Sequence, residues 1–141
     1  DGREELIQQV IDAGPEVLSH NLETVRRITP IVRSKARYDL SLDVLQYIAA
    51  SGKRTKTGIM VGLGETEAEV LETMDDVRAR GVEVFTIGQY LQPTKRHLSV
   101  VEFVTPEQFE KYRVAGLEKG FRYVESSPLV RSSYHAEKHV R

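Results

Sequence analysis

The chain of 141 residues carries 20 basic and 21 acidic residues, a net charge of −1, with 40% apolar residues, a balance that suits one domain with a proper core and argues against a nucleic-acid binder. It has no cysteine, which excludes a disulfide framework, a thiolate zinc site and a cysteine nucleophile within this stretch. With no signal peptide or long apolar run in sight, a soluble compartment and no membrane partner are expected. Taken in order, Leu6, Ile7, Val10 and Ile11 recur at helical spacing and Gly14 is a natural stop, so the chain opens on a helix. In a run of strand-helix units, an opening helix without its strand suggests the later part of something longer. Val17-Leu18-Ser19 then reads as a short strand that delivers His20 and Asn21 to its carboxyl end. His20 reads first as a structural histidine. Asn21 suits a turn or cap, or a donor and acceptor pair for a ribose hydroxyl or a carboxylate. Arg27 to Tyr38 is expected to be irregular because Pro30 breaks a helix, and the basic residues around it read as a solvated loop. Ser41 is placed as the cap of a helix to Ala50 that buries Leu42, Leu45, Ile48 and Ala49 and stops at Gly52.

The stretch that organises the chain comes next. Ile59-Met60-Val61 is an unbroken apolar run, as in a parallel strand covered on both faces. Gly62 and Gly64 let the backbone turn sharply and approach a ligand, and Thr66 with Glu69 spells a capping box for the following helix. Two familiar motifs fail here. A dinucleotide fingerprint needs a third glycine where Glu67 stands, and a P-loop needs a Gly-Lys-Ser/Thr that the chain lacks. The loop Gly62 to Glu65, after the carboxyl end of a strand, is nevertheless the first candidate binding site.

The helix from Glu67 to Arg80 is expected to bury Val70, Leu71, Met74 and Val77, and Val82 to Leu91 forms the next strand, with Gln89 at its end. Three alternations of strand and helix make a partial (β/α) barrel or an open parallel sheet. Three such strands alone leave two exposed edges. Beyond Leu91 the rhythm changes to a polar, irregular stretch. Thr105-Pro106-Glu107-Gln108 then supplies an N-cap, a proline in the first turn and a capping-box partner for a helix lined by Phe109, Tyr112 and Leu117 and ended by Gly120. Phe121 to Val124 alternates like a short half-exposed strand, and the residues after Pro128 read as a polar tail.

Several stretches together resemble the carboxyl-terminal half of lipoyl synthases, which are radical S-adenosylmethionine enzymes. They include His20-Asn21-x-Glu23-Thr24, Val61-Gly62-Leu63-Gly64-Glu65-Thr66, Gly88-Gln89-Tyr90-Leu91-Gln92-Pro93, Val104-Thr105-Pro106-x-x-Phe109 and Arg131-Ser132-Ser133-Tyr134. The last is the most specific; the glycine loop belongs to many radical enzymes of this type. Ser99 and Ser127 stand where many members have proline and glycine. The resemblance implies an α/β fold, the later part of a TIM-like partial barrel with three parallel strands over residues 1–93, and a C-terminal extension over 94–141.

It also implies an activity, the insertion of two sulfur atoms into an octanoyl chain on a lysine of a carrier protein. S-adenosylmethionine and two [4Fe-4S] clusters are the implied cofactors, with Asn21, Gly62, Gly64, Glu65 and Gln89 toward the nucleoside and Ser133 as a ligand of the auxiliary cluster. An octanoylated lipoyl-domain or glycine-cleavage carrier, an iron-sulfur carrier and an electron donor are the implied partners, in a bacterial cytoplasm or a mitochondrial matrix. The cysteine triplets of the family are not in this chain, so activity of this stretch by itself is not expected. Another radical enzyme sharing the partial barrel, such as biotin synthase, is the nearest alternative, and the serine tetrapeptide discriminates against it. A nucleotide- or phosphate-binding α/β module without catalysis is the competing reading.

Overall fold

The computed structural model describes residues 2–13, 17–32 and 38–130. Helix α1, Gly2–Ala13, precedes strand β1, Val17–Ser19. A one-turn helix α2, Thr29–Val32, and helix α3, Tyr38–Ala50, lead to strand β2, Arg54–Val61. Helix α4, Glu67–Ala79, and strand β3, Val84–Gln89, follow, and helix α5, Pro106–Glu118, and strand β4, Tyr123–Ser126, complete the described part. No helix among the described residues is long and apolar enough to cross a membrane.

The four strands form one parallel sheet in the order β1-β2-β3-β4. Three parallel strands were expected; the fourth lies in the stretch read as a short half-exposed strand. It pairs Tyr123 with Val84 and Glu125 with Thr86, and its place in the sheet depends on α5 folding back to return the chain. Two local expectations also change. Pro30 does not prevent a helix, because it sits in the first turn of α2, where no N–H is missed. Ser41 is not a cap: α3 begins at Tyr38, and Ser41 is buried within it.

Register divides the side chains of β2 and β3 between two faces. Ile59, Val61, Phe85 and Ile87 join the main core with Leu42 and Leu45 of α3, Val70, Met74 and Val77 of α4, and Phe109 and Tyr112 of α5. Phe85 and Phe121 stack with ring centroids 5.2 Å apart. Leu117, expected inside, is exposed, and Gly116 is the residue of α5 that closes on β4, where a Cβ would lie 2.9 Å from Val124. The other face of β2 and β3 carries Lys56, Gly58, Met60, Val84, Thr86 and Gly88, opposite one another in register. That is the face turned away from the helices.

Candidate functional site

Beyond β2 the chain turns through Gly62 and Gly64, with φ of 96° and 105°, values that side chains disfavour. The loop is held from within. The Glu65 carboxylate accepts hydrogen bonds from the Gly62 N–H (3.1 and 3.0 Å, one to each oxygen) and from the Leu63 N–H (2.9 Å). The capping box forms as expected: Thr66 Oγ1 accepts from the Glu69 N–H and Glu69 Oε1 from the Thr66 N–H. Arg27, from the segment read as a solvated loop, fastens the turn, donating to Gly64 O at 2.8 Å and to both Glu69 oxygens at 2.8 and 3.0 Å.

Gln89, at the end of β3, is a staple. Its amide donates to Tyr90 O and Glu102 O and accepts from the Val104 N–H, so it pins residues 102–104 over Gly62. A Cβ on Gly62 would collide with Gln89 Nε2 and Glu102 O. Its lack of a side chain serves this packing.

The cavity lies on the face of the sheet away from the helices. It encloses about 360 Å³ and is lined by Asn21, Glu23, Gly58, Ile59, Met60, Thr86, Gly88, Gln89, Leu91 and Pro128 to Val130. Of the residues expected at a site, Asn21 and Gln89 line it; Gly62, Gly64 and Glu65 do not, and shape the adjoining rim instead. His20 lies outside it, its Nε2 sharing a 3.2 Å hydrogen bond with Ser41 Oγ while its N–H continues the β1–β2 ladder to Lys56 O. That accords with the structural reading of His20. Ser133 and the rest of Arg131 to Tyr134 lie outside the described residues.

Sequence reasoning missed Glu23, Gly58, Thr86 and Gly88. Glu23 has φ of 76°, the one positive value outside glycine among the described residues, and such strain gathers at functional sites. It is held by its own backbone, which bridges Gly58 O and the Met60 N–H. A period of two along β2 and β3 was the signal for the others. At Gly88 the returning chain after β4 crosses the sheet, and a Cβ there would come within 2.6 Å of Val130 O.

Apolar walls from Met60, Leu91 and Leu129 stand beside the polar groups of Asn21, Glu23, Thr86 and Gln89, with Ile59 contributing only its backbone because its side chain lies in the core on the other face. Such a lining suits a ligand with a flat apolar part and several hydroxyl or charged groups. Two residues before Gly58 along β2, and on the same face, Lys56 is fully buried. Burial lowers its pKa, and the Glu125 carboxylate opposes that shift.

The Arg27 and Glu69 pair predicts a pH dependence. Hydrogen bonds from the Arg27 side chain first, and from the Thr66 backbone second, hold the Glu69 carboxyl down to about 2. A depressed carboxyl contributes stability that is complete above its ordinary value and fades as pH falls through the folded one. Arg27→Met should therefore destabilise the protein slightly at pH 7, with the difference shrinking below about pH 4.5. Urea unfolding of both forms at pH 7 and pH 3 measures it; a gap that is equal at both pH values would remove the pair from the account.

Residues 1–77 match the family model described as the Radical SAM superfamily. The lipoyl synthase of Porphyromonas gingivalis is 65% identical over 140 residues, which is 99% of this chain and 50% of that protein. Those of Parabacteroides distasonis and Flavobacterium psychrophilum are 66% and 63% identical, again over 99% of this chain and covering 50% and 48% of theirs. The chain thus spans about half the length of the curated relatives it matches. Among solved structures, SuiB of Streptococcus suis superposes with a TM-score of 0.61 at 10% identity, over 79% of this chain and 26% of that one. At that identity the likeness concerns the fold.

Proposed function

The chain belongs to the radical SAM superfamily, and from its 63–66% identity to lipoyl synthases we propose that it forms the carboxyl-terminal half of such an enzyme, which inserts two sulfur atoms into a protein-bound octanoyl chain. The observation that carries the reading is the cavity walled by Asn21, Glu23, Gly58, Met60, Gly88 and Gln89 at the carboxyl ends of parallel strands, where ligands of such sheets bind.

The donor set there fits S-adenosylmethionine. Asn21 and Glu23 would hold the hydroxyls of its ribose, Met60 would face the base, and Gln89 stays engaged with the strap over Gly62. When bound and reduced, this cofactor supplies the hydrogen abstraction from unactivated carbons that the reaction needs. The residues of this chain orient it, keep water away with their apolar walls, and hold the rim rigid through Glu65 and Arg27.

The chain's donors do not fit an iron-sulfur cluster by themselves, since it has no cysteine, and no step through a cluster is derived. Ser133 would add one oxygen ligand to an auxiliary cluster whose other ligands lie outside this chain. A hard alkoxide on iron that ordinarily takes thiolates makes a weak bond, useful where a cluster must release sulfide. The octanoylated carrier, an iron-sulfur carrier and an electron donor are the partners this reading requires, and a cytoplasm or mitochondrial matrix is its setting.

The test uses the full-length protein with reconstituted clusters, S-adenosylmethionine, a reductant and an octanoyl-lysyl peptide. Mass spectrometry should detect the peptide with two added sulfurs. Ser133→Cys should keep its iron and sulfide content and lose most of that product. Tight nucleoside binding with no sulfur transfer would favour the binding-module reading.

A further inference from the structure

After β3 the chain crosses the rim as a strap, residues 91–103, before α5 begins. The strap is exposed almost throughout, yet it is tied down at intervals. Tyr90 Oη donates to Leu98 O at 2.7 Å, Gln92 Nε2 to His97 O at 2.9 Å, the Val101 N–H to Gly62 O at 2.8 Å, and Gln89 Nε2 to Glu102 O. A tight turn from Thr94 to His97, in which the Thr94 hydroxyl also meets His97 Nδ1, presents Lys95 and Arg96 at its tip.

Two features of this strap call for a partner. It exposes Leu91, Leu98, Val101 and Phe103, the last two by 66% and 70%, an apolar concentration unusual for a fixed surface segment. It also carries cations that the fold leaves unmatched. Neither Lys95 nor Arg96 forms an ion pair with any described residue, as holds also for the exposed Lys111 and Arg122; what sets the strap pair apart is that it stands beside exposed apolar residues. The strap's one carboxylate is Glu102. Leu91, at its start, lines the cavity, so whatever seats on the strap lies beside the cavity mouth.

We propose that this strap is the docking surface for an acidic carrier protein that presents its acylated lysine to the cavity. Phe103 and Val101 supply the apolar contact, and Lys95 and Arg96 steer and orient the acidic face. The proposal rests on the function proposed above and names where the carrier binds.

The test is calorimetric titration of an acidic, octanoylated lipoyl domain into the full-length protein, for wild type and the double variant Lys95→Glu/Arg96→Glu. Reversing both charges should weaken binding about tenfold at low salt and flatten the salt dependence that the wild type displays. Turnover of a short octanoyl-lysyl peptide, which lacks the acidic face, should stay unchanged. Equal affinity and equal salt dependence in the two forms would overturn the proposal. So would a lowered melting temperature at unchanged affinity, which would mean that another part of the same protein covers the strap. Failure of the proposed function has a separate signature, a wild type that binds the carrier with the expected salt dependence and transfers no sulfur to it.

Discussion

Gly62→Ala is expected to cost the folded protein about 2–5 kcal/mol, the sum of a strained backbone at positive φ and a collision in a filled space. The backbone part follows from φ of 96° at Gly62, a region L-residues occupy at a penalty of about 1–2 kcal/mol. The collision follows from the new Cβ striking Gln89 Nε2 and Glu102 O, the second a backbone atom that cannot rotate away. Gly64→Ala separates the two contributions. Its φ is 105°, but a Cβ there meets only Val101 Cγ2 at 3.9 Å, ordinary contact. It should lose the strain alone, about 1–2 kcal/mol. Urea unfolding of the full-length variants gives both values, and equal losses would mean that the strap over Gly62 yields freely. If the strap is displaced instead, carrier affinity should fall in Gly62→Ala and not in Gly64→Ala, which links the glycine to the surface proposed for docking.

Glu65→Ala is the second large effect. Glu65 was expected to reach a ligand, and in the structure its carboxylate is consumed by two N–H groups of its own loop. Gly62 and Leu63 are both buried. Deleting the carboxylate leaves two buried donors unmatched at about 1–3 kcal/mol each, so a loss near 3 kcal/mol is expected. Glu65→Gln keeps one acceptor oxygen and should lose less. A cost of Glu65→Ala below about 1 kcal/mol would show that water reaches both amides, and the loop would then not be a sealed rim. In either variant the cavity residues Asn21 and Glu23 keep their own anchors, because their segment is tied to β2 through the Glu23 backbone and not through the loop.

Much of the fold is legible because its signals are local. The capping box at Thr66 and Glu69, the N-cap at Thr105 with Pro106 beside it, and the buried stripe of α4 depend on residues a few positions apart, and each forms. The second half of the box expected at Thr105 does not: Gln108 turns its amide to Glu67 on α4, 2.7 Å away. An interhelical partner competes with a local one, and nothing near Thr105 announces it. Likewise Ser41 was read from intrinsic preference as a cap, but α3 begins at Tyr38 and buries Ser41 within it, whereas Pro30 is accommodated locally in the first turn of α2.

What the amino-acid order determined by itself is the alternation of strands and helices, the glycine turn after β2, the absence of thiolate ligands, and the motifs that mark the superfamily. These follow from periodicity, from caps and from residue chemistry, none of which needs a distant partner. Tertiary structure alone decided which side of the strands carries the cavity, that β4 completes the sheet, that Glu65 binds the backbone of the glycine loop and Gln89 that of the strap, and that Glu23 is strained beside Asn21. The reason is register. Pairing Gly58 with Thr86 and Met60 with Gly88 sets which side chains share a face, and strands so far apart in the chain acquire that pairing only when the helices between them pack.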